Sequence, residues 1–169
     1  HLDGGTRQVR TGGRARPGHL HPGAVDQAGD TAWLRCSRDH HNLVLTQGPR
    51  PGLRRVGFEL ESDAELERAF AHFQARDLAP RRLSKDETMA LRQGASFRVR
   101  VPHCGLELEY FGRTTVLARP FVPTVAQIAR LGHVVIGTSD FAGTFAALTR
   151  DFGFVVSDFV EDRFSFLRG

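Results

Sequence analysis

Imidazole, thiol and carboxylate groups are the side chains of this sequence that could hold a metal or move a proton, and the His and Cys among them stand in few places. His19 and His21 form an H-x-H pair. Asp39-His40-His41 makes a corner between two apolar runs, His103 and Cys104 are adjacent, and His133 follows Leu131-Gly132 at the head of an apolar run. An H-x-H pair in a stretch without large apolar residues suits adventitious metal binding, not a built site. His103-Cys104 falls short of a zinc pattern, which needs further ligands at set spacing. His133 has two readings: a ligand carried on a strand, or a half-buried structural His at the strand's start. The sequence has no P-loop, no G-x-G-x-x-G and no G-x-S-x-G, so its chemistry is not that of those phosphate-binding or serine-nucleophile motifs.

These groups must be positioned by a small protein. The chain has 169 residues, about the length of one domain. A net charge of +4 and a sequence pI near 10 raise the question of nucleic acid. The arginines, however, lie in the first fifth of the chain and in scattered pairs such as Arg54-Arg55 and Arg81-Arg82. No basic helix and no basic–aromatic interleaving accompanies them, which argues against a nucleic-acid partner. No apolar run reaches the roughly 18 residues of a membrane span, and no signal peptide is visible at the start. Cys36 and Cys104 do not make a disulfide framework, so a reducing, cytoplasmic compartment is expected. The first residue is His, which leaves open a fragment or a processed chain.

Residues 1–30 are rich in Gly, Arg, His and Pro. They show neither helical nor strand periodicity, so they are expected to be disordered or an out-of-frame segment. Order is expected from Thr31, with strands over 31–35 and 42–46 and a loop over 47–52. Residues 54–61 alternate, with Val56, Phe58 and Leu60 on one face, as a half-buried strand does. Ser62 with Glu65 three residues later predicts a capping box. Leu66, Ala69, Phe70 and Phe73 then follow at helical spacing. Strands over 96–101 and 106–111 flank a turn at 102–105. A Pro-containing linker at 119–124 leads to a new unit at Ile128. That unit has a strand over 131–138, a helix over 140–149, a turn at Gly153, and strands over 154–156 and 163–167.

The order of elements points to an α+β fold of repeated βαβββ units. Residues 31–36 and 163–168 look like the same strand in two repeats.

Several runs carry a family resemblance. They are Leu34-Arg35-Cys36, Asp39-His40-His41 and Leu43-Val44-Leu45, then the strand from Arg54 to Leu60, then Pro102 to Gly105 with Glu109-Tyr110. The most specific is Arg119-Pro120-Phe121, Pro123-Thr124 and Arg130-Leu131-Gly132-His133-Val134-Val135. In order and spacing these resemble the vicinal oxygen chelate superfamily, which groups glyoxalases, bleomycin-resistance proteins and extradiol dioxygenases. They are most similar to a two-module type I extradiol ring-cleavage dioxygenase, present here incompletely. The resemblance covers roughly residues 31–169. It implies βαβββ modules forming open, cup-shaped mixed sheets. It also implies Fe(II), or Mn(II) as the alternative, held by two His and one Glu in a facial triad with open positions. A catechol-type aromatic substrate and O2 are the implied partners. A second-sphere His would move protons, and the ring would open beside the diol. Homo-oligomers are common in the family, and neither nucleic acid nor a membrane is implied.

Carried over residue by residue, the resemblance assigns His133 as the first metal ligand. The second His, the Glu ligand and the proton-moving His would fall beyond Gly169, so no catalytic or cofactor-binding residue is assigned within the chain. The implied organisation is an incomplete non-catalytic module over 31–118, a linker over 119–127 and the first half of the catalytic module over 128–169. In the first module Arg54-Arg55 stand where a His ligand would be, and a guanidinium does not ligate iron. Glu109 stands at a Glu ligand position but is read as structural. His40-His41 match the turn of the proton-moving His and are read as hydrogen-bonding imidazoles. As a polypeptide on its own the chain is expected to have little or no activity. The rival readings are a metal-free, antibiotic-sequestering binding protein and a glyoxalase-like isomerase or lyase.

Overall fold

The computed structural model describes residues 24–123, 132–161 and 163–169. Three short strands come first: β1 (Ala24–Ala28), β2 (Thr31–Leu34) and β3 (Leu43–Thr46). They form an antiparallel sheet in the order β1-β2-β3. Gly29 turns β1 into β2 at φ +54°, the left-handed region open to glycine. Ordered chain therefore begins by Ala24 rather than at Thr31. β1 carries a single large apolar residue, Val25, and shows no strand alternation that would reveal it; its place is fixed by the ladder to β2. Residues 1–23, with His19 and His21, lie outside the described residues.

A complete βαβββ unit follows. β4 (Arg55–Glu59) leads through α1 (Asp63–Gln74) to β5 (Arg81–Arg82). A short helix α2 (Lys85–Ala90) comes next, then β6 (Ser96–Arg100) and β7 (Glu107–Phe111). The sheet order is β4-β7-β6-β5, with β4 parallel to β7 and the other pairs antiparallel. Period-2 alternation divides each strand between two environments. Phe97 and Val99 of β6, and Leu108 and Tyr110 of β7, are buried in the core cluster with Leu66 and Phe73 of α1. Phe97 is fully buried, with the rings of Phe70, Phe73 and Tyr110 at centroid distances of 5.3, 5.9 and 5.2 Å. The alternate residues Arg98 and Glu109 take the other side of the sheet.

Ser62 caps α1, accepting a hydrogen bond from the Glu65 backbone N–H at 3.2 Å. The reciprocal half of the expected box is not made, since the Glu65 carboxylate pairs with Arg68 instead. The complete box belongs to α2, where Ser84 and Glu87 each accept from the other's backbone N–H. Neither α2 nor β5 is apparent from periodicity, both being too short to show one.

The chain ends in α3 (Phe141–Arg150), capped by Asp140, and a hairpin of β8 (Val155–Val160) and β9 (Phe164–Arg168). Leu148 of α3 joins the core of the βαβββ unit, and Phe152, Phe154 and Leu167 pack against it. Gly153 turns α3 toward β8 at φ +75°, as expected. The strand expected over 131–138 does not form: residues 132–138 are irregular, with Val134, Val135 and Ile136 exposed, and Leu131 is outside the described residues. A strand is held by its neighbour's ladder, and no described strand pairs with this segment. Residues 119–123 are irregular, and the remainder of the expected linker and Ile128 lie outside the described residues. Arg35 fastens this stretch, donating to the carbonyls of Arg119 (3.0 Å) and Pro120 (3.2 Å), with its guanidinium 5.8 Å from the centre of the Phe121 ring.

Truncating Phe97 to alanine should cost about 3–5 kcal/mol, the range for a fully buried aromatic ring. Urea denaturation of F97A checks this, and an unshifted midpoint would place the centre of the core elsewhere.

Candidate functional site

Glu109 is the focus of the sheet face opposite α1. The carboxylate belongs to a residue only 4% exposed, on the strand flanked by β4 and β6. Arg98 lies directly across the β6–β7 ladder and donates through Nε to Oε2 at 2.6 Å. Arg55 reaches the same oxygen from β4 at 3.0 Å. Gln93 donates to Oε1 at 2.9 Å, and its amide also reaches Ser96 Oγ at 3.0 Å. Gly57 stands opposite Glu109 on β4. A Cβ there would come within 3.1 Å of the Phe111 ring, so glycine keeps this row open.

Burial raises the cost of charge on Glu109. The hydrogen bonds from Gln93, Arg98 and Arg55 and the Arg98 charge outweigh it and hold the carboxyl below the usual carboxylate range. Both carboxylate oxygens are thus committed to nitrogen donors. A metal could use Glu109 only by displacing guanidinium groups, which cannot themselves become ligands.

Beside this network stands the Asp39-His40-His41 corner. Asp39 Oδ2 accepts from Ser37 Oγ at 2.7 Å and Asn42 Nδ2 at 3.1 Å, and Asn42 Oδ1 accepts from the Cys36 N–H at 2.8 Å. The corner docks on the segment after β7. The His40 N–H donates to Thr115 O at 2.6 Å, the Leu117 N–H donates to Arg38 O at 2.9 Å, and Asp39 bridges to Val116. The imidazoles of His40 and His41 meet with their Nδ1 atoms 3.2 Å apart. His40 Nε2 faces Asp26 Oδ2 at 3.9 Å, and that oxygen accepts from Arg92 at 3.1 Å. Burial, then the Arg92 charge, push the His40 imidazole below its usual value, with Asp26 opposing. Burial, then His40, do the same to His41 against Glu109 and Asp39. Both rings are therefore neutral near pH 7 and act as hydrogen-bonding groups.

His133 is exposed on the irregular segment 132–138. Among the described residues no three His, Cys, Asp or Glu side chains come together as a metal-binding group. The structure thus brings His40, His41 and Glu109 into one neighbourhood and leaves His133 outside it. His103 is drawn not to a metal pair with Cys104 but to Asp140, Nδ1 to Oδ2 at 2.7 Å, joining the 102–105 turn to the cap of α3. Sequence reasoning missed Gln93 and Arg98. Strand alternation could have found Arg98, since it shares a face with Glu109 once β6 and β7 are paired; Gln93 lies in a turn with no periodic signal.

No family model matches the chain. A curated relative, biphenyl-2,3-diol 1,2-dioxygenase of Pseudomonas sp. (strain KKS102), is 28% identical over 145 residues, covering 82% of this chain and 49% of the relative. Solved structures with a similar fold include a catechol 2,3-dioxygenase, with TM-score 0.67 and 22% identity over 78% of this chain and 48% of that one. Homoprotocatechuate 2,3-dioxygenase from Arthrobacter globiformis gives a TM-score of 0.64 and 28% identity over 79% of this chain and 42% of that one. 2,2',3-Trihydroxybiphenyl 1,2-dioxygenase from Sphingomonas wittichii strain RW1 gives 0.64 and 19% over 80% and 49%. The chain spans about half the length, or less, of these proteins.

Replacing Glu109 by Gln keeps the shape and removes the charge that two partly buried guanidiniums share, so E109Q should lose about 3 kcal/mol of stability in urea denaturation, the low end for a broken buried pair. Because the folded carboxyl lies below its ordinary value of 4.5, its contribution is complete above that pH and is lost as pH falls through the folded value. An E109Q protein with an unchanged urea midpoint at pH 7 would remove the network from the account of stability.

Proposed function

We propose that this chain, which has the fold of the vicinal oxygen chelate superfamily in its extradiol dioxygenase form, is part of an enzyme that cleaves a catechol-type aromatic diol beside its two hydroxyls with O2. The observation that supports the reading is the agreement of two likenesses. A sequence similarity over 82% of the chain and a fold similarity over 78% both lead to ring-cleaving dioxygenases.

In this reading residues 31–118 are an incomplete non-catalytic module, with β1 extending it at the front, and 119–127 are the linker. Residues 128–169 open the catalytic module, and His133 is its first ligand to Fe(II), with Mn(II) as the alternative. A metal in a two-His, one-carboxylate site supplies a Lewis acid and a template for diol and O2. One exposed imidazole does not constitute such a site, and Glu109 is committed to Arg55, Arg98 and Gln93. In this reading ring cleavage needs ligands beyond those that the described residues bring together. The first unit's own part is to shape the molecule: Glu109 fixes its sheet, and Arg35 fastens the start of the linker toward His133. A cytoplasmic setting fits the two free cysteines. Among the described residues no helix is long and apolar enough to cross a membrane.

Purified chain supplied with Fe(II), O2 and 2,3-dihydroxybiphenyl should give no coloured ring-fission product. The source DNA read onward from Gly169 should encode an Asp-His-His turn, a second ligand His and a closing Glu. The product of that longer frame should cleave the diol, and H133A should abolish both its iron content and its activity. A frame that continues without those ligands would overturn the dioxygenase reading in favour of a metal-free binding protein. Turnover by the chain alone would overturn the division of labour between the units.

A further inference from the structure

The sheet of β1, β2 and β3 shares no strand ladder with the sheet of β4 to β7 among the described residues. Its attachment runs through the Asp39-His40-His41 corner, which grips the segment 115–117 by two backbone hydrogen bonds. Two side-chain links, Arg92 to Asp26 and Arg35 to the 119–120 carbonyls, assist. At the centre of the grip two imidazoles meet Nδ1 to Nδ1 at 3.2 Å, and the His40 side chain is only 7% exposed.

An N–H···N hydrogen bond of this kind needs one ring with a proton on Nδ1 and one with a free lone pair there. When both rings are imidazolium, two N–H donors and two positive charges confront each other with no acceptor between them. The surroundings do not relieve that state. From β1, Asp26 faces His40 but is already bonded to Arg92. Arg92 itself and Arg35, just past β2, add positive charge. From β7, Glu109 faces His41 but is saturated by Arg55 and Arg98. In the corner, Asp39 is held by Ser37 and Asn42.

We propose that the His40–His41 pair is an acid-sensitive latch: uptake of the second proton opens the corner from residues 115–117 and undocks the β1–β3 sheet, while α1 and the β4–β7 sheet stay folded. Burial holds both imidazoles below their ordinary value of 6.5, so the docked form binds fewer protons than the undocked one. Docking is then complete above that pH and weakens as pH falls below it.

Trp33 reports the event. It is the one tryptophan of the chain, lies on β2 and is 8% exposed. Indole emission and far-UV circular dichroism of the purified chain are followed together from about pH 7.5 down to about pH 3.5, which covers the range in which imidazoles titrate and then that of carboxylates. The expected result is a red shift of the emission below 6.5 with the helical signal retained. In H41Q, which keeps a hydrogen-bonding side chain but does not titrate, the shift should move down to where carboxylates protonate, about pH 4. An emission change that coincides with loss of helix overturns the latch, as does one unchanged in H41Q. Should H41Q not fold, amide exchange in the unmodified chain decides. Below 6.5 the amides of β2 and β3 should lose protection before those of β6 and β7, and simultaneous loss in both sheets overturns the proposal.

Discussion

One buried carboxylate holds the alignment on which this molecule depends. Glu109 takes donors from the strand on either side of it and from the turn leading into β6. A slip of one residue in β6 or β7 would send Arg98 or Glu109 into the aromatic core beneath α1, where an unpaired charge is costly. Apolar alternation on the α1 side and charge pairing on the other side thus demand the same register. The two faces of the sheet enforce each other: Phe97, Val99, Leu108 and Tyr110 require Arg98 and Glu109 to point away, and those two meet only if they do.

That same pairing determines what the first unit can do. A buried carboxylate on a sheet face, with imidazoles nearby, has the raw materials of a metal site. Here arginine nitrogens occupy the positions around it, so the electrostatic need is met by fixed cations that bring no reactivity. In the proposed reading this unit contributes geometry, and the reactive centre is left to the unit that begins near His133. The segment that follows residue 118 is not slack at its start, since Arg35 holds the carbonyls of Arg119 and Pro120 and lies 5.8 Å from the centre of the Phe121 ring.

Much of this was legible in the residues. Alternation at Val56, Phe58 and Leu60 and helical spacing from Leu66 to Phe73 locate β4 and α1 closely, because each pattern is stated within a few neighbouring positions. Features set by distant partners were not legible. β1 is a strand because β2 lies beside it, and residues 132–138 are not one because no described strand does. The capping box sits at Ser84 rather than Ser62, since at Ser62 the acidic partner finds Arg68 first. His103-Cys104 falls short of a metal pattern in the sequence, and the partner His103 does have, Asp140, comes to it only when α3 is placed across a long stretch of chain. The pairing of Glu109 with Arg98 needed the register of β6 on β7.

The terminal hairpin is held at two places, at its base and near its tip, where Phe159 meets Phe141 and Phe145 of α3 at centroid distances of 5.9 and 5.5 Å. Phe154 and Leu167, at its base, pack on the core, and Phe154 meets Phe58 edge to face at 5.8 Å. Toward the tip, Val160 and Phe164 are exposed, and Glu161 is held at φ 44°. A two-stranded ribbon is marginal in water on its own, so the hairpin borrows its persistence from these aromatic contacts. Loss of the Phe159 ring would release its outer half from α3 while leaving Leu148 and Phe152 packed on the core.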